Sequence, residues 1–277
     1  MEGTQAISAT WPLCQYPRRL ILEGCRACSS IIACYVVLKD LKHRDTHIIS
    51  SNVLPQLTKL EHIELKDNKL AEEVFEVIPE GTNDNNNGGF SKSQTVFNIP
   101  NLTFLEIDKL NNLRYLWKRN RWMVLEFPKL TYLNIRGCRW LEHVFTSSMV
   151  GSLVQLDTLW IHDCQNLELI VKEEERDFRV NDQIISLPNL KVLKLDNLPC
   201  LKGFCLGEEA FSWPSLDILS IHYCPAITVL TKGQLDTPAL KKMYTTFESP
   251  CEVREDLNSL MKKKLQEVPN YLLAVLL

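Results

Sequence analysis

One frame of spaced leucines recurs along this chain, and it restricts the fold more than any other feature. From Pro128 the sequence reads PKLTYLNIRGCRWLEHVF, with Leu130, Leu133, Ile135, Cys138, Leu141 and Val144 at its apolar or special positions. The pattern is L-x-x-L-x-[IL]-x-x-C-x-x-L-x-x-Φ, where Φ is any apolar residue. Leu156, Leu159, Ile161, Cys164, Leu167 and Ile170 repeat it, as do Leu216, Leu219, Ile221, Cys224, Ile227 and Leu230. Leu190, Leu193, Leu195, Leu198, Leu201 and Phe204 form another copy, and so do Leu102, Leu105, Ile107, Leu110, Leu113 and Leu116, both with Leu at the Cys position. A sixth copy is Leu60, Ile63, Leu65, Asn68, Ala71 and Val74, now with Asn there. Leu20, Leu22 and Cys25 fit a degraded unit, and Pro238, Leu240 and Met243 begin one that does not complete.

Side chains alternate along a strand, so L-x-L puts two leucines on one side of a short strand. One such strand cannot bury them alone. Stacking the copies side by side gives a parallel sheet over a continuous core. The residue three places on turns inward, where Asn can bond the backbone of the turn and Cys packs as a small apolar group. The first leucines are separated by 42, 28, 26, 34, 26 and 24 residues. The shorter steps match the leucine-rich class of roughly 20–29 residues. The expected fold is therefore an α/β repeat, a leucine-rich-repeat solenoid (horseshoe) with a short parallel sheet on its concave face and an irregular convex side. The longer steps hold insertions. Residues 79–93 (PEGTNDNNNGGFSKS) read as a polar surface loop, and residues 172–183 (KEEERDFRVNDQ) as a charged loop or short exposed helix.

The chain divides into degenerate N-terminal repeats or a cap over 1–53, the solenoid over 54–245, and a helical cap or tail over 246–277. In the last part EVREDLNSLMKKKLQEV, from Glu252, places Leu257, Leu260, Met261, Leu265 and Val268 near helical spacing, and Pro269 ends it. Solenoids need such closure, because an end repeat has no neighbour.

Composition excludes several classes. The apolar and charged fractions, 45% and 23%, are those of a folded globular chain, and a net charge of −3 gives no general pull toward nucleic acid. The N-terminus lacks the pattern of a secretory signal, and the apolar runs at 31–38 and 271–277 are short of the roughly 18–20 residues that span a bilayer. The expected compartment is the cytoplasm or the nucleus, with its thiols reduced.

The candidate chemistry dissolves into the frame. Cys25, Cys138, Cys164 and Cys224 share one repeat position and read as a buried ladder. Cys25-Arg-Ala-Cys28 is an isolated C-x-x-C. His162-Asp163-Cys164 and His222-Tyr223-Cys224 resemble ligand pairs, but the frame turns each Cys inward and leaves each His outside. The sequence calls for no metal, no cofactor and no catalytic residue: nucleophile-elbow, zinc-protease and P-loop motifs are missing. Glu173, Glu174, Glu175 and Asp177 read as a solvated run, and Lys118-Arg119-Asn120-Arg121-Trp122 as convex surface.

What remains is the outward side of the strands. Between the leucines lie Glu64, Glu106, Asn134, Trp160, Lys194 and Ser220. Before them come His62, Phe104, Tyr132, Thr158, Val192 and Ile218, and after them Lys66, Asp108, Arg136, His162, Asp196 and His222. Core positions repeat while these vary, as a protein-recognition surface requires, with Trp160, Tyr132 and Phe104 as natural anchors.

The segments FPKLTYLNIRGCRWLEHVF, LVQLDTLWIHDCQNLELIV, LPNLKVLKLDNLPCLKGFC and WPSLDILSIHYCPAITVL resemble the C-terminal repeats of plant nucleotide-binding, leucine-rich-repeat disease resistance proteins of the coiled-coil class. The Cys-for-Asn ladder, the apolar-Pro step before four of the copies and the acidic insertion before ISLPNL carry the resemblance, which covers about residues 54 to 245. It implies recognition of pathogen effectors or of host proteins they modify, and restraint of a nucleotide-driven switch. The P-loop module of that family is not in these residues, so nucleotide binding does not carry over. A rival class is the leucine-rich-repeat substrate receptor of a ubiquitin ligase. It needs an N-terminal helical bundle, which residues 1–50 do not show.

Overall fold

The computed structural model describes residues 18–23, 47–49, 57–76, 95–117, 123–173, 184–246, 250–253 and 256–266. Cys25, Cys28, the basic stretch 118–122, the insertion 79–93, most of the charged insertion and the apolar tail lie outside the described residues.

Every L-x-L segment is a strand of one long sheet. Its strands are β1 (Arg19–Glu23), β2 (His62–Lys66), β3 (Phe104–Asp108), β4 (Tyr132–Arg136), β5 (Thr158–His162), β6 (Val192–Asp196), β7 (Ile218–His222) and β8 (Lys242–Thr245), with the short β9 (Cys251–Glu252) at the end. Strands β1 to β8 pair in sequence order and in parallel, and β9 closes the edge antiparallel to β8. Register is unstaggered: Leu105, Leu133, Leu159, Leu193 and Leu219 stand opposite one another across five strands. These leucines and the Ile or Leu two places on in each strand are all buried, and they form the core with the repeat's outer apolar residues. Each fully buried side chain contributes roughly 1.5–3 kcal/mol. Toward the C-terminal end the core is aromatic, with Phe204, Phe211 and Trp213 in edge-on contacts.

The recurring apolar-Pro step has a backbone function. Leu102, Leu130, Leu190 and Leu216 donate their amides to the carbonyls of Ile99, Phe127, Leu187 and Trp213, three residues earlier. Proline thus holds the second position of a tight turn, where its fixed φ fits and its missing N–H costs nothing. The buried residue ahead of the proline anchors that turn in the core.

Beyond each strand the chain bends sharply. Asp67, Lys109, Gly137, Asp163, Asn197 and Tyr223 all have φ between 52° and 64°. Their left-handed backbone aims an amide at the next repeat: Lys109 donates to the Arg136 carbonyl at 2.8 Å, Gly137 to His162 at 3.0 Å and Asn197 to His222 at 2.9 Å. The following Cys or Asn then turns inward. Cys138, Cys164 and Cys224 are buried and unbridged, and each thiol donates to the carbonyl two residues back, at 3.2 to 3.5 Å. Asn68 instead accepts from the Leu70 and Ala71 amides at 2.8 and 2.9 Å.

Two local expectations change. The side away from the long sheet is not irregular throughout: short parallel strands form there, including His143–Thr146, Leu169–Lys172 and Gly203–Cys205 in one small sheet. Their reach of three or four residues is too brief to leave a periodic pattern. The helix begins at Leu257 rather than near Glu252, which β9 uses, and it runs to Gln266. Asp256 sets its start, accepting the Ser259 amide at 2.9 Å as an N-cap. Leu257, Leu260 and Met261 join the core, and Asn258 bonds the Leu230 amide and the Thr231 carbonyl of the last full repeat.

The turn column yields a stability prediction. A side chain at Gly137 must adopt a left-handed backbone and would put its Cβ 3.2 Å from Lys109 Cγ. Gly137→Val is expected to lower unfolding free energy by ~1–3 kcal/mol, and Gly137→Asn by less, since Asn tolerates this region. Equal losses in denaturant melts would contradict the reading.

A buried histidine yields a second. His143 is 5% exposed, and its Nδ1 has no hydrogen-bond partner. Burial, aided by Lys172, lowers its pKa to about 4. The unfolded chain therefore binds a proton that the folded chain refuses. Stability from this site is complete above about pH 6.5 and falls as pH drops toward 4, by up to about 3 kcal/mol. His143→Phe should flatten the stability profile between pH 6.5 and 4; a profile of unchanged slope would show that the ring is not the source.

Candidate protein-recognition face

The eighteen outward positions occupy β2 to β7, three per strand, on the side opposite the leucines, here called the front face. Arg136 is exposed, Asn134 is 9% exposed, and the others are half-buried. The unstaggered register arranges them in three columns. His62, Phe104, Tyr132, Thr158, Val192 and Ile218 form the first. Glu64, Glu106, Asn134, Trp160, Lys194 and Ser220 form the second, and Lys66, Asp108, Arg136, His162, Asp196 and His222 the third.

Neighbouring strands lie about 4.8 Å apart, so column neighbours are in contact. The first column begins as a ring stack. His62 and Phe104 have centroids 4.1 Å apart and planes 2° from parallel; Phe104 and Tyr132 follow at 4.7 Å and 6°. Strand spacing and ring-stacking distance coincide here. Burial raises the Tyr132 hydroxyl above its ordinary pKa, with help from the Glu106 charge.

The second column brings Glu64 and Glu106 side by side, a like-charge pair that costs stability unless a cation lies between. Lys66 does so, at 3.0 Å from Glu64 and 3.2 Å from Glu106. Glu64 also accepts from His62 Nε2 and from Arg19 Nη2, both at 2.6 Å. The His62 hydrogen bond leads in holding the Glu64 carboxyl down at about 2, with Arg19 and Lys66 adding to it against the opposing push of burial. Lys66 is correspondingly raised, mainly by Glu64. Arg136 lies 3.9 Å from Asp108 and 3.8 Å from Asp163.

Trp160 anchors the other half. The His162 ring stacks on it at 4.6 Å, and Lys194 Nζ lies 5.4 Å from its centroid, within cation–π range. His162 Nδ1 is 3.2 Å from Asp163, whose other oxygen accepts from Asn197 at 2.8 Å. The Asn197 hydrogen bond leads in lowering the Asp163 pKa.

The sequence reading omitted parts of this face. Arg19 and Ile21 extend it on β1, and Lys242 and Tyr244 on β8. The flanking copies are degraded, but moving the L-x-L frame to Leu20-Ile21-Leu22 and to Met243-Tyr244-Thr245 would have found them.

The thiols are separate from this face. Burial pushes Cys224 and Cys205 up to about 12 and Cys138 well above its ordinary value, so they stay protonated and unreactive. In each His-x-Cys pair the His lies on the front face and the Cys in the core. Among the described residues no three His, Cys, Asp or Glu side chains come together as a metal site, and no helix is long and apolar enough to cross a membrane.

The hydrogen-bond order predicts a titration. His62→Phe keeps the ring stack but removes the leading donor to Glu64. Its carboxyl midpoint, followed by carbon-13 NMR, should rise from about 2 toward the ordinary carboxylate value; an unmoved midpoint would refute His62 as the main cause.

The family model for RPS2-like plant disease resistance protein leucine-rich repeats matches residues 33–165. A probable disease resistance protein of Arabidopsis thaliana is 28% identical over 130 residues, 47% of this chain and 14% of that protein. The match thus spans a small part of that relative. No solved structure matches the chain.

Proposed function

We propose that this chain, which over residues 33–165 is similar to the leucine-rich repeats of plant disease resistance proteins, is a protein-recognition module in plant defence. Its front face is the concave side of a horseshoe. It binds a pathogen effector, a host protein that an effector modifies, or another domain of a resistance receptor. Repeats of this kind work by interaction rather than catalysis, and the module needs no cofactor. We place the repeat unit at 54–245, flanked by a degenerate start and a helical end, in the cytoplasm.

One observation carries the reading. Parallel sheets are ordinarily covered on both faces. Here one face of an eight-strand parallel array holds a core, and the other presents a tryptophan, a ring stack and several charges, most of them half-buried. A surface partly withdrawn from water, yet covered by no other element among the described residues, is suited to a partner. Large aromatics dominate the energetics of such interfaces.

The test is capture from plant tissue with the full chain as bait. Trp160→Ala should weaken the captured interaction by about tenfold or more while melting remains cooperative. Undiminished capture by this variant would refute the front-face assignment. Recovery of a ubiquitin-ligase scaffold would point to the substrate-receptor class instead.

A further inference from the structure

The two halves of the front face differ in what they leave unused. On β2 to β4 the charges have opposite ones nearby: Glu64 and Glu106 share Lys66, and Asp108 lies 3.9 Å from Arg136, although among the described residues there Asp108 Oδ1 and Asn134 Oδ1 are buried without a hydrogen-bond partner. The rings of His62, Phe104 and Tyr132 cover one another. A partner arriving there must dehydrate an ion lattice that is already internally balanced, which returns little.

On β5 to β7 the first two columns hold Thr158, Val192 and Ile218 beside Trp160, Lys194 and Ser220. Lys194 is the single charge among these six. Among the described residues no carboxylate lies within 4 Å of its ammonium, which instead rests on the Trp160 ring. Val192 and Ile218 stand in register as an apolar step beside it, and Tyr244 continues the second column onto β8 at 37% exposure. Asp196, the nearest acid in sequence, is in the third column between His162 and His222. The patch is thus apolar and aromatic, with one unneutralised cation at its centre.

We infer that the β5–β7 half is the contact half, and that it takes an extended acidic and hydrophobic segment of the partner protein. A carboxylate of that segment meets Lys194 beside Trp160, and an apolar side chain covers Val192 and Ile218. The complementarity is one of charge and polarity together. A lysine already set on an aromatic face loses little freedom on pairing, and the surrounding apolar surface strengthens the pair by excluding water. This inference rests on the front face being a protein-binding surface, and it adds which half binds and what it recognises.

The probe is a fluorescent peptide alternating Asp with Leu and Phe, compared with its Lys-for-Asp counterpart by fluorescence anisotropy on the full chain at low salt. The acidic peptide should bind at least about tenfold more tightly than the basic one. Lys194→Glu should reverse that preference and Lys194→Met should abolish it. Lys202→Met, on the flank in a pair with Glu168 at 2.8 Å, should change it less than twofold. Acidic-peptide binding lost in Trp160→Ala but indifferent to both Lys194 variants would overturn the carboxylate assignment while leaving front-face recognition intact. Binding indifferent to all of these variants, or absent for both peptides, would overturn the inference. Capture of the partner from tissue is read separately, so the two failures are distinguishable.

Discussion

Unstaggered parallel pairing is the constraint on which the rest of this molecule depends. Residues at equal repeat positions stand about one strand spacing, roughly 4.8 Å, from their counterparts. Each position along the repeat therefore becomes a column, and each column must satisfy itself. Leucine columns do so by packing, and His62, Phe104 and Tyr132 by ring stacking. The Glu64–Glu106 step is the exception that shows the rule. Like charges meet there, and the structure answers with Lys66 between them.

The same pairing governs the turns. Six left-handed residues, one after each of β2 to β7, hand their amides to the next repeat, or at Tyr223 to the Thr246 hydroxyl. Gly137 is the one glycine among them, so at five positions the gain from that hydrogen bond offsets the local cost of the conformation. Just beyond, Cys and Asn solve one problem from opposite sides. Asn68 supplies an acceptor for turn amides, whereas the buried thiols supply a weak donor to a strand carbonyl and otherwise fill space. Three of the ten cysteines, Cys138, Cys164 and Cys224, thus serve at this position as buried packing units.

Much of this was legible in the leucine frame. Because the strand period is two, placing Leu133 and Ile135 in the core placed Tyr132, Asn134 and Arg136 on the other side. The His-x-Cys pairs were resolved by the same step. Three things were not legible. The short outer strands, such as Gly203–Cys205, have no period of their own. The helix start at Leu257 depends on Asp256 capping and on β9 drawing Glu252 into the sheet, both tertiary events. The internal balance of β2 to β4 depends on which side chains reach each other. A grid of letters showed Glu64 and Lys66 as available charges, whereas the structure shows them committed to one another.

That last difference changes where recognition is sought. Eighteen equivalent candidates become a neutralised half and a half centred on Trp160 and Lys194. The proposed partner meets the face of the sheet that no described element covers, rather than the turns or outer strands. Hydroxyl-radical footprinting of the chain, alone and with its captured partner, measures this directly. Strong protection of Trp160 is expected, with Trp140, exposed on the turn after β4, left unchanged. Protection of Trp140 with Trp160 as reactive as in the free chain would contradict it.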